Sequence, residues 1–453
     1  MYEQLPIAVI GAGPVGLAAA AHLAERGLHF TVLEAGDQAA AAVRDWGHVR
    51  VFSPWRYNID AAAARLLAEA GWVRPDDDKL PTGAELAADY LQPLADLPAL
   101  KPHLRYGARV TAITRAGIDR VRTAGRATTP FLIRRADGTD VYARAVIDAS
   151  GTWDQPNVLG ASGIPAHGES AVTAYLSNGL PDVLGRDRDR YAGRRTLVVG
   201  SGHSAANTLL ALADLAQREP GTTVAWAIRA DSPQGSYGGE SADALPARGS
   251  LGTRLRRHVE SGAVELHAAF LVQRVTDNGA TVTVSDGQRE ITADRIVVAT
   301  GFRPDHTVTS ELRLDLDPIL GSTRALAPLI DPNEHSCGTV PPHGVDQLTH
   351  PEPGYYAIGS KAYGRAPTFL MATGYEQARS VVAALAGDWD AARDVQLDLP
   401  ETGVCNSNDD AAALDGASCC GPEEPIGASL NLITIGGPSA EAGAKEQGGC
   451  CGS

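Results

Sequence analysis

The hydrophobic pattern opens with IAVI at residues 7–10, an unbroken apolar run too short for a helix, which predicts a buried strand. GAGPVG follows, then the alanine-rich LAAAAHLAER, with Gly27 placed as a helix C-cap. The next apolar run, FTVL, ends at Glu34. The chain thus writes strand, glycine turn, helix, strand, acid. The same order recurs downstream. A strand predicted over Thr196–Val199 leads into Gly200, Gly202 and Ala205, then an apolar helix, then TTVAWAIR ending at Arg229. Two further runs, VIDASGTW (Val146–Trp153) and IVVATGFRPD (Ile296–Asp305), each close on a small hydroxyl residue and a glycine. They predict where the chain leaves a first unit and returns to it. YYAIG ends in Gly359 and Ser360, and a helix is expected from about Pro367, a favoured first-turn residue, to Leu385.

This alternation predicts an α/β fold with two Rossmann-like dinucleotide-binding domains. The first, an FAD domain, is expected over 1–165 and 296–390, and the second, an NAD(P)H domain, is inserted at 166–295. Residues 391–453 form an acidic, Gly- and Ala-rich tail read as mostly disordered.

The glycines explain themselves chemically. Gly11 permits the tight turn, Gly13 lets backbone approach a pyrophosphate, and Gly16 lets helix and strand pack closely. The helix that opens at Pro14 offers unpaired N–H groups to phosphates. Glu34, with Ala35 beside it, is placed to accept hydrogen bonds from a ribose and to reject a 2′-phosphate, which favours FAD or NAD over NADP at this site. In the second unit Gly200, Ser201, Gly202, His203 and Ser204 are the expected pyrophosphate cradle. Arg229 stands where the acid was and suits the 2′-phosphate of NADPH.

Composition narrows the picture. At 453 residues, 44% hydrophobic and 21% charged, the chain has the make-up of a globular protein. A formal net charge of −15 argues against a nucleic-acid partner. The first apolar stretch is broken by glycines and a proline, and no run of about twenty apolar residues follows, so no membrane span and a cytoplasmic location are expected.

The order GAGPVG, Glu34, DASGTW, GSGHSA, VATGF resembles the flavin-dependent monooxygenases among the two-dinucleotide-binding-domain flavoproteins. The resemblance covers about residues 1–390. The fingerprint that precedes the second Rossmann unit in the flavin-containing and Baeyer–Villiger branches is reduced here to GIPAHGES, with His167. The resemblance implies further FAD contacts at Trp46, Val110, Ser150, Gly151, Gly359, Ser360, Thr368 and Phe369. It names no catalytic acid or base. Thiol and disulfide reductases of the same superfamily carry a CxxC or CxxxxC pair beside the flavin, whereas the body here holds a single cysteine, Cys337. Electrons from reduced flavin are therefore expected to reach dioxygen as a flavin C4a-hydroperoxide that oxygenates a soft nucleophile.

The other five cysteines lie in the tail. Adjacent cysteines hold their Cα atoms about 3.8 Å apart, short of the roughly 4.4–6.8 Å that disulfides prefer. Cys419-Cys420 and Cys450-Cys451 are therefore better read as a chelate for a thiophilic ion such as arsenite. With the body motifs, the tail resembles the flavoprotein monooxygenases of arsenic-resistance operons and implies a trivalent arsenical as substrate. Two alternatives stay open. One is an NADPH-dependent thiol or metalloid reductase that uses the C-terminal pair as a shuttle. The other is a flavin-containing metalloid-binding protein without turnover.

Overall fold

The computed structural model describes residues 2–239, 246–335 and 340–397, which fall in one compact unit, Met1–Asp409. The tail cysteines and Cys337 lie outside the described residues.

The first sheet is built from β1 (Ile7–Ile10), β2 (Phe30–Leu33), β3 (Leu104–Arg105), β7 (Ala145–Asp148) and β16 (Tyr355–Ala357). Its order is β16-β7-β1-β2-β3 and every pairing is parallel. Ile7, Ala8 and Val9 are fully buried, as a strand covered on both faces must be. The helix Pro14–Glu25 crosses from β1 to β2 and buries Ala18, Ala19, Ala20 and Ala21 completely. Alanine there brings the helix close to the sheet and to the long helix Met371–Leu385. β4 (Val110–Arg115), β5 (Phe131–Arg135) and β6 (Asp140–Ala143) make a separate antiparallel sheet.

The second parallel sheet uses β8 (Leu176–Asn178), β9 (Arg195–Val199), β10 (Thr223–Ala227), β11 (Glu265–His267) and β15 (Arg295–Val298), in the order β11-β10-β9-β15-β8. It too has an antiparallel companion, of β12 (Arg274–Asp277), β13 (Val282–Ser285) and β14 (Glu290–Ala293). All its strands lie between β7 and β16 in sequence, so the first sheet is discontinuous.

Two boundaries differ from the sequence reading. The IVVATG run does not start the return to the first sheet at 296; β15 pairs with β9 and β8, where Ile296 and Val297 are fully buried. The late helix starts at Met371, four residues past Pro367. Leu370 is extended (φ −121°, ψ 149°), and the first helical bond runs from the Gly374 N–H to the Leu370 carbonyl.

A buried ion cluster ties the β4–β6 sheet to the chain entering β16. Glu352 accepts from Arg115 Nε (2.7 Å) and Arg126 Nη2 (2.7 Å), and all three side chains are at most 4% exposed. The Arg115 guanidinium also lies 3.6 Å from the centre of the Phe131 ring. Burial pushes the Glu352 carboxyl up, but Arg126, the Arg313 N–H and Arg115 together hold it below its ordinary value. Glu352→Gln leaves two buried arginines with no counter-charge and is expected to cost about 3–5 kcal/mol in urea unfolding. The depressed carboxyl gives the sign of the pH dependence. The wild-type advantage is full above about pH 4.3, the unfolded glutamate value, and fades as pH falls through the folded-state value.

Candidate active site

Parallel pairing sets Ile10 opposite both Leu33 and Asp148, so the chain leaves three neighbouring strands along one line. Gly11, Glu34 and Ala149 come next on each. The Gly11 N–H donates to the Leu33 carbonyl (2.8 Å). Gly11 has φ +96°, and a Cβ there would stand 2.8 Å from the Ala149 oxygen. A Cβ on Gly16 would collide with the Gly11 carbonyl, whereas one on Gly13 would meet nothing. Gly13 thus faces open space at the N-terminus of the Pro14 helix, which has no side-chain cap. Glu34 is held by the Ala12 N–H (2.6 Å) and the Gly36 N–H (2.8 Å), one to each carboxylate oxygen. Each oxygen keeps a lone pair for a hydroxyl.

These residues open onto a cleft of about 500 Å³. Gly11, Gly13, Pro14, Glu34, Ala35, Trp46, Val110, Ser150, Gly151, Gly359, Ser360 and Phe369, all proposed from sequence, line it. Gly16 lies behind as a packing contact. Thr368 stands apart: it is buried, with its hydroxyl directed at the Ile330 carbonyl (3.4 Å). Trp46 lines the cleft above Gly83, where a Cβ would come within 2.7 Å of its ring, while Trp55 is a core side chain. The Met371 helix also brings an uncapped N-terminus to this cleft, where Met371 and Phe369 are on the wall.

The second cradle repeats the geometry. Val199 lies opposite Ala227 and Val298, and Gly200 (φ +133°) packs so tightly on Ala299 that a Cβ would strike its carbonyl oxygen. The Trp226 indole N–H donates to the Gly200 carbonyl (2.7 Å). Ser201, Gly202 and His203 are exposed, Ser204 is half-buried, and Gly202 opens the His203–Ala216 helix without a side-chain cap. The His203 ring lies 4.9 Å from Phe52 of the first unit. Arg229 is exposed two residues beyond β10 and donates weakly to the Ala161 carbonyl (3.3 Å).

The sequence reading missed a charged floor to the cleft. Lys361 Nζ donates to Asp148 (2.6 Å) and to the Ser150 hydroxyl (3.1 Å), and both charged side chains are at most 2% exposed. Ser150 in turn donates to Asp148 (2.7 Å), and so does the Tyr355 hydroxyl (2.9 Å). Burial pushes the Asp148 carboxyl up; Lys361 and Ser150 more than offset it and hold the group below its ordinary value. The signal was present: a lone acid inside the apolar run VIDASG must have a buried partner. His335 contacts the Pro328 carbonyl, and His343 sits between the Pro341 carbonyl and Gln377, whose amide oxygen accepts from the Gly359 N–H.

The sequence profile of the pyridine nucleotide-disulphide oxidoreductases matches residues 8–319. The chain belongs to this family. It is a flavin-dependent pyridine nucleotide oxidoreductase, and its cofactors are FAD and a pyridine nucleotide. Its sequence is 30% identical over 208 residues to the rice (Oryza sativa subsp. japonica) indole-3-pyruvate monooxygenase YUCCA1, covering 45% of this chain and 44% of that protein. The match thus spans less than half the length of that curated relative. Among solved structures, the bacillithiol disulfide reductase of Bacillus cereus aligns with a TM-score of 0.61 at 18% identity, over 84% of this chain and 99% of that one. The FAD-bound cadaverine monooxygenase of Erwinia amylovora aligns at 0.58 and 14%, over 88% and 96%. The flavin-containing monooxygenase of Stenotrophomonas maltophilia aligns at 0.53 and 19%, over 84% and 99%. At these identities the likeness carries the fold alone. No helix among the described residues is long and apolar enough to cross a membrane.

The first cradle fits FAD: its glycine backbone is open, its helix end is uncapped, and its acid rejects a 2′-phosphate. The two glycine cradles separate experimentally. Gly16→Ala forces a Cβ into the Gly11 carbonyl and is expected to weaken FAD retention at least tenfold, about 1.4 kcal/mol, measured as flavin absorbance per mole of purified protein. Gly200→Ala is expected to keep its flavin and to lose flavin reduction by NADPH.

Proposed function

We propose that the chain is an NADPH-dependent monooxygenase that oxygenates a soft nucleophile, a trivalent arsenical among the candidates. In this reading the first sheet's cleft holds FAD and the second cradle holds NADPH. Both lie on one unit, and Phe52 on His203 links them. The observation that carries the reading is the pairing of two dinucleotide cradles with the absence of a CxxC or CxxxxC pair from the sequence. In the thiol and disulfide reductases of the superfamily that the sequence resembles, such a pair is the station between flavin and substrate. The sequence relative with a monooxygenase name supports the same choice.

Bound together, the cofactors supply hydride transfer from nicotinamide to flavin and the four-electron reduction of dioxygen with substrate, one oxygen atom entering the substrate and the other leaving as water. The chain's own residues bind and orient. The Gly13 and Gly202 backbones and their helix ends receive pyrophosphates. Glu34 receives the ribose hydroxyls of FAD, and Arg229 pairs the 2′-phosphate of NADPH. The N-terminus of the Met371 helix places positive potential at the cleft wall, where it would favour negative charge on a bound cofactor. The Asp148–Lys361 pair holds the Ser150 hydroxyl in one orientation at the floor, its proton on Asp148 and a lone pair on Lys361. Tail cysteines Cys419, Cys420, Cys450 and Cys451 would gather a thiophilic substrate.

The test is NADPH oxidation with simultaneous oxygen uptake, screened against arsenite, methylarsenite, sulfides, amines and ketones. Oxygen uptake matched to an oxygenated product is the expected result. Anaerobic turnover that disappears on changing Cys450 and Cys451 to Ser would overturn it in favour of a thiol-shuttle reductase. Arg229→Ala is expected to raise KM for NADPH by about tenfold to a hundredfold, the worth of one or two charge-assisted bonds, with KM for NADH unchanged.

A further inference from the structure

The chain passes between its two parallel sheets twice, once after β7 and once after β15. The two crossings run together. Pro156 and Phe302 face each other as an antiparallel bridge. The Asn157 N–H donates to the Gly301 carbonyl (2.9 Å), and the Arg303 N–H to the Gln155 carbonyl (3.0 Å). The Asn157 side chain then fastens the pair. Its Nδ2 donates to the Thr300 carbonyl (2.9 Å), and its Oδ1 accepts from Arg303 Nε (2.8 Å). A carbonyl needs the amide N–H and a guanidinium needs the amide oxygen, so this side chain fits one way round. The Thr300 hydroxyl answers from the other crossing, within reach of the Asn157 (3.1 Å) and Val158 (3.2 Å) carbonyls. Beside them Trp153 stacks on Phe302 with ring centres 5.0 Å apart.

Away from the crossings the two units meet loosely. A cavity of about 320 Å³ lies between them, with Asp45 and Trp153 on the first side and Leu180, Asp187 and Arg190 on the second. Asp45 and Trp153 also line the cofactor cleft, and the Trp153 indole N–H donates to Asp45 (3.0 Å), so this pair divides the two spaces. The cavity wall carries charge from both units, so this stretch of the interface is neither close-packed nor apolar. Phe52 on His203 is a single tilted ring contact. Interfaces between units of one chain allow relative motion unless they are large and apolar. Here the fastened crossings are what resists it.

We infer that Asn157 is a positioning residue for hydride transfer: by fastening the two crossings it fixes how the second cradle faces the first cleft. This role rests on the cofactor placement proposed above, and not on the choice between oxygenation and reduction. In the transfer the C4–H bond of the reduced nicotinamide breaks with its electron pair going to the flavin, so the one is oxidised and the other reduced by two electrons. The reacting atoms must stand about 3–3.5 Å apart, and a misplacement of about 1 Å costs about a hundredfold. Asn157 is not on the wall of the cofactor cleft and lies outside the Gly200–Ser204 cradle, so its effect falls on the transfer and not on binding.

The experiment compares wild type with Asn157→Ala and Arg303→Ala, all loaded with FAD. Arg303→Ala removes the bond to Oδ1 and leaves the one from Nδ2. NADP⁺ affinity is read by calorimetry, opening of the crossings by hydrogen exchange, and the limiting rate of anaerobic flavin reduction at saturating NADPH by stopped flow. For Asn157→Ala, faster exchange over 154–158 and 300–304 is expected. Its NADP⁺ affinity is expected to stay within about twofold of wild type while the limiting rate falls about tenfold or more. Arg303→Ala is expected to show a smaller loss of the same kind. Should Asn157→Ala lose its flavin on purification, Arg303→Ala alone decides: a reduced limiting rate at unchanged NADP⁺ affinity supports the inference. A limiting rate equal to wild type, or a loss that appears only as weaker NADP⁺ binding, would overturn it. A wild-type flavin that NADPH does not reduce would overturn the cofactor placement and the inference with it. An unchanged rate in the variants of an enzyme that NADPH does reduce leaves that placement standing.

Discussion

Equal register among parallel strands is the constraint on which the rest of this protein depends. Because Ile10 faces Leu33 on one side and Asp148 on the other, the glycine turn, the ribose acid and the β7 exit emerge side by side. The same alignment of Val199 with Ala227 and Val298 builds the second cradle. A parallel slip by one residue would invert every side chain of a strand between two covered faces. The contacts at Gly11–Ala149 and Gly200–Ala299 leave no room for such a slip, since each already brings backbone against backbone.

Charge inside the fold is used where chain segments distant in sequence must meet. Lys361 joins β16 to β7 through Asp148 across 213 positions, and Glu352 joins the β4–β6 sheet to the same C-terminal segment. Buried pairs of this kind stabilise little relative to apolar substitutes. Their effect is to admit one arrangement, because any other leaves a charge uncompensated. In the first case the arrangement selected is the floor of the cofactor cleft.

Legibility of the site followed the range of the interactions. Gly11, Gly13, Gly16 and Glu34 could be placed because a turn, a helix end and a strand end within about thirty residues define their roles. Trp46 was named by resemblance alone, since an aromatic residue in an irregular stretch carries no local sign of which way it faces; only the fold sets it on the cleft wall and nearby Trp55 in the core. Thr368 followed from a helix drawn from Pro367. The chain instead stays extended to Leu370 and turns that hydroxyl toward Ile330. Asp148 was visible as an acid in an apolar strand, but its partner lay too far along the chain to be named.

By itself the sequence determined the two strand–glycine–helix units, their acid or base at the second strand end, and the absence of a redox cysteine pair from the body. All of these are local, set by steric and hydrogen-bonding needs within one turn or one βαβ unit. Only the tertiary structure decided that β15 completes the second sheet, that Lys361 sits under the first cleft, and that Trp153 divides two cavities. Those outcomes depend on which surfaces meet across hundreds of residues, and an apolar run or a lone lysine is equally compatible with several partners until the packing selects one.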